Sequence, residues 1–253
     1  MIKFISGKTE KEASLSAALV MADVVKNNPN AVLGLATGSS PINMYKELIA
    51  MCDKGEISFK NIKSVNLDEY VGLSADHDQS YAYFMSHNLF DHVDIDKANT
   101  NLPNGLAADP VAECKRYDDV VASMGGVDIQ VLGIGNNGHI GFNEPNSYFT
   151  KGTGLVDLTD STIDANSRFF EKREDVPTQA LSMGCGQIMN AKKILLIALG
   201  KGKAEILEKS LFGDVTPEVP ASILQFFKGE VIVSADKAAL SVILEKHHEA
   251  VIK

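Results

Sequence analysis

The chain has 253 residues, 45% of them hydrophobic and 23% charged, with a formal charge of −9. That length suits a large α/β domain with a sizeable core, and the composition excludes a disordered, collagen-like or disulfide-stapled chain. The acid excess speaks against a general nucleic-acid or membrane-surface binder, which needs a basic face, yet it leaves room for a small anion held by local cations and backbone amides.

Taken in chain order, short apolar runs alternate with longer amphipathic stretches. Ile2–Ile5, Ala31–Leu35, Ile62–Leu67, Val127–Ile134, Ile194–Leu199 and Glu230–Ser234 are dense in Val, Ile and Leu without strict alternation. Such runs suit strands covered on both faces. Helices are expected over Thr9–Asn27, Ile42–Cys52, Tyr81–Phe90, Asp109–Ser123, Lys203–Leu211 and Lys237–His247. In the first of these, Leu15, Ala18, Leu19, Ala22 and Val25 share one face. Strand–helix alternation of this kind predicts a mostly parallel sheet between helical layers, a three-layer α/β/α sandwich.

No repeat or Pro/Ser-rich linker divides the sequence, so residues 1–253 read as a single domain. Asn143–Asp175 breaks the pattern, being polar and weakly periodic; a long insertion of that kind often serves as a lid, for which about 145–175 is the expected segment, and a plain surface excursion explains it nearly as well. Cys52, Cys114 and Cys185 are far apart and form no C-x-x-C pair, as expected of reduced thiols. The N-terminus lacks the apolar core of a signal peptide, and the apolar runs are too short to span a bilayer. A cytoplasmic protein is expected.

In an open parallel sheet, ligands bind beyond the carboxyl ends of the strands. The second strand is followed by Thr37-Gly38-Ser39-Ser40-Pro41, opening into a helix. Unpaired amides at the helix start, flanked by hydroxyls, make an anion site suited to phosphate, although the Gly-Lys-Ser/Thr ending of a Walker A loop is absent. A plain N-cap turn explains the loop equally well. After the third strand, Asp68 and Glu69 lie side by side. On an extended chain they point in opposite directions, so one at most faces the site; the alternative is a helix N-cap aspartate.

The fourth strand runs into Gly133-Ile134-Gly135-Asn136-Asn137-Gly138-His139-Ile140-Gly141-Phe142-Asn143-Glu144-Pro145. Glycines let this loop fold tightly, His139 can exchange a proton near neutral pH, and Glu144 could orient it. No second His or Cys stands at a metal-ligand spacing from it. Arg168 and Lys203 are cations that could serve a phosphate, though either could be an ordinary surface charge.

Together, LATGSSP, NLDEYVGL, YAYFMSHNLFDHVDI, GIGNNGHIGFNEP, NSRFF and LGKGKA resemble, in order, the glucosamine-6-phosphate deaminase (isomerase) family over nearly the whole chain. The resemblance implies a modified Rossmann-like fold without a nucleotide or metal cofactor. It also implies conversion of D-glucosamine 6-phosphate and water to D-fructose 6-phosphate and ammonia in amino-sugar catabolism. Carried over by motif, Asp68 resembles the base that moves a proton between C2 and C1, and His139 the group that assists ring opening. Asn137 and Glu144 match its supports. Thr37, Gly38, Ser39 and Ser40 match the phosphate cradle, with Arg168 and Lys203 as its cations.

Family members carry Asp or Asn where Asn137 stands; Asn removes one negative charge and leaves Glu144 as the acidic support. A galactosamine-6-phosphate deaminase, a 6-phosphogluconolactonase-like hydrolase and a non-catalytic sugar-phosphate sensor are the alternatives. A base placed for C2 argues against the lactonase, and the absence of an attached DNA-binding module against the sensor.

Some longer relatives are activated by N-acetylglucosamine 6-phosphate through cations that align with Gly154 and Val156; here only Lys151 is near, and the chain stops at Val251-Ile252-Lys253. A short, non-allosteric enzyme is therefore expected, as a monomer or small homo-oligomer acting on an amino-sugar phosphate, with no nucleic-acid or membrane partner.

Overall fold

The computed structural model describes residues 1–251, the side chain of Ala165 excepted; Ile252 and Lys253, the last two residues of the expected single domain, lie outside the described residues. In chain order the elements are β1 (Ile2–Gly7), α1 (Glu10–Asn27), β2 (Val32–Leu35), α2 (Ile42–Asp53), β3 (Lys63–Asn66), β4 (Asp68–Tyr70), α3 (Tyr81–Asn88), β5 (Thr100–Asn101), α4 (Pro110–Ser123) and β6 (Ile129–Leu132). They continue with β7 (Gly154–Asp157), α5 (Asp160–Asn166), β8 (Gln179–Ser182), α6 (Cys185–Ile188), β9 (Lys193–Ala198), α7 (Ala204–Phe212), β10 (Glu230–Asp236), α8 (Ser241–Lys246) and α9 (His248–Val251).

Seven strands form one sheet in the order β1-β10-β9-β6-β2-β3-β5, every pairing parallel. The apolar runs are buried as their composition requires: Ile194 to Ala198 in β9 and Val231 to Ala235 in β10 are all inaccessible. From β2 the chain moves through α2 to β3 on one side, whereas from β6 it moves to β9 and then through α7 to β10 on the other. Right-handed crossovers in opposite directions put their helices on opposite faces of the sheet. They also open a crevice where the strand order reverses, between the carboxyl ends of β2 and β6. α1 packs on α2 and on β1 and β10, while α7 packs on α8.

Several expectations are corrected. The stretch expected to run as a helix over Lys237–His247 begins with a turn, because the Asp236 carboxylate accepts from Gly200 N–H and Ala239 N–H. Only Ser241–Lys246 is helical, and His247 separates it from α9. The weakly periodic Asn143–Asp175 segment nonetheless holds β7, α5 and short 3-10 turns. A second, antiparallel sheet of order β4-β8-β7 stands beside the first. Its own apolar cluster of Tyr70, Phe142, Leu158, Ile163, Val176 and Ala180 seats α5.

Candidate active site

A cavity of about 750 Å³ occupies the crevice, walled by the loops that leave β2, β3, β6 and β9 and by residues of α5 and the turn after it. Thr37, Gly38, Ser39, Ser40, Asp68, Asn137, His139, Arg168 and Lys203 all line it. Glu144 does not; it stands behind His139.

Gly38 adopts φ +87°, a left-handed conformation that costs a glycine little, and this turns the Thr37–Ser40 loop back over the start of α2. No side chain of the described residues caps α2. Its first-turn amides therefore remain as donors, with the positive end of the helix dipole behind them. Lys203, half-buried, reaches this region with Nζ donating to Asn136 Oδ1 at 2.6 Å. Burial lowers its pKa, and a bound anion would offset that effect. Arg168 lies over the Phe169 ring, 4.6 Å from its centroid, its guanidinium otherwise exposed to the cavity mouth. Amides, hydroxyls and two cations on the wall of one cavity are a set that can hold an anion.

Asp68 and Glu69 have the opposite orientations expected of neighbours on a strand. Glu69 turns away and accepts from the N–H groups of Tyr70, Tyr81 and Ala82, all at 2.9 Å, so that it ties β4 to the start of α3. Asp68 lies opposite Ser182 in the small sheet and faces the cavity, 6% exposed. Among the described residues no hydrogen bond ends on its carboxylate. Burial, reinforced by the Glu69 charge, pushes its pKa up to about 8. Tyr81 and Phe142, stacked with centroids 6.1 Å apart, form an apolar wall of the same cavity. A carboxylate in such a setting is a stronger base than one in water and is suited to a weakly acidic C–H.

His139 is held by a tight turn in which Gly135 N–H donates to the His139 carbonyl at 2.9 Å and Gly138 N–H to the Gly135 carbonyl at 3.0 Å. A Cβ at position 135 would lie 2.4 Å from the imidazole, so the ring rests directly on the Gly135 backbone. The Nδ1 atom is buried 3.2 Å from Glu144 Oε1, close but not aligned for a linear hydrogen bond. Asn137 bridges the pair, since its Oδ1 accepts from His139 N–H at 3.2 Å while its Nδ2 donates to Glu144 Oε2 at 2.6 Å. Burial alone would raise the pKa of Glu144, but the imidazole, Thr162 and Asn137 together bring it down to about 2. The carboxylate is therefore ionised and favours Nδ1–H, which leaves Nε2 as the atom free to exchange a proton. Among the described residues, no three His, Cys, Asp or Glu side chains converge as metal ligands.

Sequence reasoning missed Tyr81, Phe142, Ser161, Thr162 and Asn166 as cavity residues. Tyr81, Phe142 and Asn166 lay inside quoted motifs. Ser161 and Thr162 come from the first turn of α5, whose weak periodicity concealed it.

A parallel sheet with a cavity at its point of reversal, lined by anion-holding and proton-exchanging groups, has the arrangement of an α/β enzyme that works on a small anionic substrate. A family model described as glucosamine-6-phosphate isomerases/6-phosphogluconolactonase matches residues 8–233. The glucosamine-6-phosphate deaminase of Clostridium perfringens (strain SM101) is 52% identical over 238 residues, which cover 94% of this chain and 98% of the relative. That of Clostridioides difficile is 49% identical over 249 residues, 98% of each chain. A solved structure of a monomeric glucosamine-6-phosphate deaminase is 44% identical, covers 95% of this chain and 99% of its own, and superposes with a TM-score of 0.91. A 6-phosphogluconolactonase from Trypanosoma cruzi, 18% identical over 98% of this chain and 97% of its own with a TM-score of 0.75, shares the fold alone. The chain belongs to the glucosamine-6-phosphate deaminase branch of this isomerase/lactonase family.

Proposed function

We propose that the cavity converts D-glucosamine 6-phosphate and water to D-fructose 6-phosphate and ammonia. The observation that carries this reading is the pairing of two proton-transfer groups on one cavity: Asp68, buried and without a hydrogen-bond partner among the described residues, and His139, backed by Glu144. The phosphate sits on the Thr37–Ser40 loop, Lys203 and Arg168, and its binding energy fixes a flexible substrate for chemistry at the other end.

His139 takes a proton from the anomeric hydroxyl and returns it to the ring oxygen, which opens the pyranose to the aldehyde. Asp68 removes the proton from C2, giving an enolamine between C1 and C2, and delivers a proton to C1. The resulting C2 imine adds water and loses ammonia to leave the ketose. Glu144 stabilises the imidazolium that forms transiently, and Asn137 ties the Glu144 carboxylate to the His139 backbone N–H.

A lactonase needs no base at C2, and the buried Asp68 favours the deaminase over it. The stereochemical preference at C4 belongs to the substrate's sugar end, for which the gluco epimer is the reading favoured by relatives near 50% identity. The enzyme acts as a monomer, as does its 44% identical structural relative. An ammonia-release assay on glucosamine 6-phosphate beside galactosamine 6-phosphate and 6-phosphogluconolactone tests the assignment. Turnover of the lactone alone would sink it.

A further inference from the structure

We infer that Thr162 is a positioning residue for ring opening: its hydroxyl, carried on α5, sets the Glu144 carboxylate against His139. The inference rests on the reaction proposed above and adds a residue to its machinery.

Glu144 is gripped from two sides. Asn137, on the loop after β6, holds Oε2, whereas Thr162 Oγ1 donates to Oε1 at 2.6 Å. Oε1 is also the atom that faces the imidazole, 3.2 Å from Nδ1. The side chain of Thr162 is fixed in its role by its neighbours. Thr159, the N-cap of α5, donates from Oγ1 to Thr162 Oγ1 at 3.1 Å, so the single Thr162 proton is left for Glu144. Thr159 in turn receives the Thr162 N–H at 3.3 Å, which locks the first turn of the helix. A directed chain of hydroxyls thus ends on the carboxylate oxygen that His139 needs.

The imidazole contact is close but off-axis, and a small displacement of Oε1 decides whether Nδ1–H aligns with it. Thr162 is 8% exposed and lies on the same segment as Ser161, Asn166 and Arg168, which also line the cavity. A substrate whose phosphate engages Arg168 therefore bears on the segment that holds Glu144. Support of this kind, acting on a ligating or catalytic group from behind, is commonly worth about 10–100-fold in activity.

The test compares Thr162→Val, which keeps the shape and the backbone N–H but removes the donor, with Thr162→Ser, which keeps the donor. Two substrates are used: glucosamine 6-phosphate, and an acyclic amino-aldehyde phosphate lacking the 4- and 5-hydroxyls, which has no ring to open. Thr162→Val should lower kcat on the cyclic substrate about 10–100-fold, with KM and Tm near those of the wild type. Thr162→Ser should stay within about threefold, and both variants should process the acyclic substrate within about threefold of wild type. Should Val at this site disturb folding, Thr162→Ala set against Thr162→Ser gives the same contrast.

Normal kcat for Thr162→Val on the cyclic substrate would overturn the inference and leave the proposed reaction standing. Equal losses on both substrates, or no rescue by Ser, would reassign Thr162 to packing of α5. A wild-type enzyme that releases no ammonia from glucosamine 6-phosphate would instead remove the reading beneath it.

Discussion

Asp68 keeps its proton up to about pH 8 because its carboxyl is buried beside a second charge. At pH 7 only about a tenth of the free enzyme then carries the base form. The expected outcome is a kcat/KM that climbs with pH and levels off above about 8, measured as ammonia release across pH 6–9. The same burial has a thermodynamic consequence. Between about pH 4 and 8 the folded chain holds a proton that the unfolded chain gives up, so stability falls as pH rises through that window. Asp68→Asn should abolish turnover, leave fructose 6-phosphate binding within a few-fold, and raise stability at pH 9 by on the order of 1–3 kcal/mol with little change at pH 4. Thermal melts at the two pH values check this. In the sequence, the alternation of a strand already stated that only one of Asp68 and Glu69 could face a ligand. The role of Glu69 in starting α3 was not visible there, because its partners Tyr81 and Ala82 are brought to it by a fold in the chain.

The loop after β6 shows what an element contributes beyond its side chains. Gly135 lets the His139 ring lie against the backbone, and a methyl there would strike the imidazole. Gly135→Ala is expected to lower kcat about 100-fold through displacement of the ring, while phosphate binding at the α2 loop survives. Titration of fructose 6-phosphate beside the kinetics separates the two. The strands and helices of the large sheet were legible because each is a long or densely apolar run with the period of its own structure. The small sheet was not. Three-residue β4 follows β3 after Leu67 alone, and the four-residue, half-exposed β7 gains its place by pairing with β8 across the intervening helix. Such elements are specified by tertiary partners rather than by local pattern. For the same reason the contribution of α5 to the site escaped, since Thr162 and Glu144 lie in separate elements and meet only in the fold.

At the scale of the whole molecule, the reversal of strand order gathers loops from distant parts of the chain onto one crevice, and motif order foretold which loops would meet. Regulation is expected to be absent. Gly154 and Val156, the positions expected to align with the activator-binding cations of regulated relatives, stand in β7, and the preceding Thr153 is fastened to Asp118 of α4 through its N–H and hydroxyl. An effector without differential contacts in two states shifts neither. Substrate kinetics should therefore be hyperbolic and unchanged by N-acetylglucosamine 6-phosphate, and sedimentation should give a species near the chain mass of 27.2 kDa. A sigmoidal curve that the activator makes hyperbolic would contradict this.

The central claim is that Asp68 moves the C2 proton of an opened amino sugar. Its most direct test follows C2-deuterated glucosamine 6-phosphate by NMR with the wild type and Asp68→Asn. The account predicts that deuterium leaves C2 as fructose 6-phosphate and ammonia appear with the wild type, and that the variant binds the substrate yet leaves C2 labelled. Loss of the C2 label by Asp68→Asn within a few-fold of the wild-type rate would contradict it.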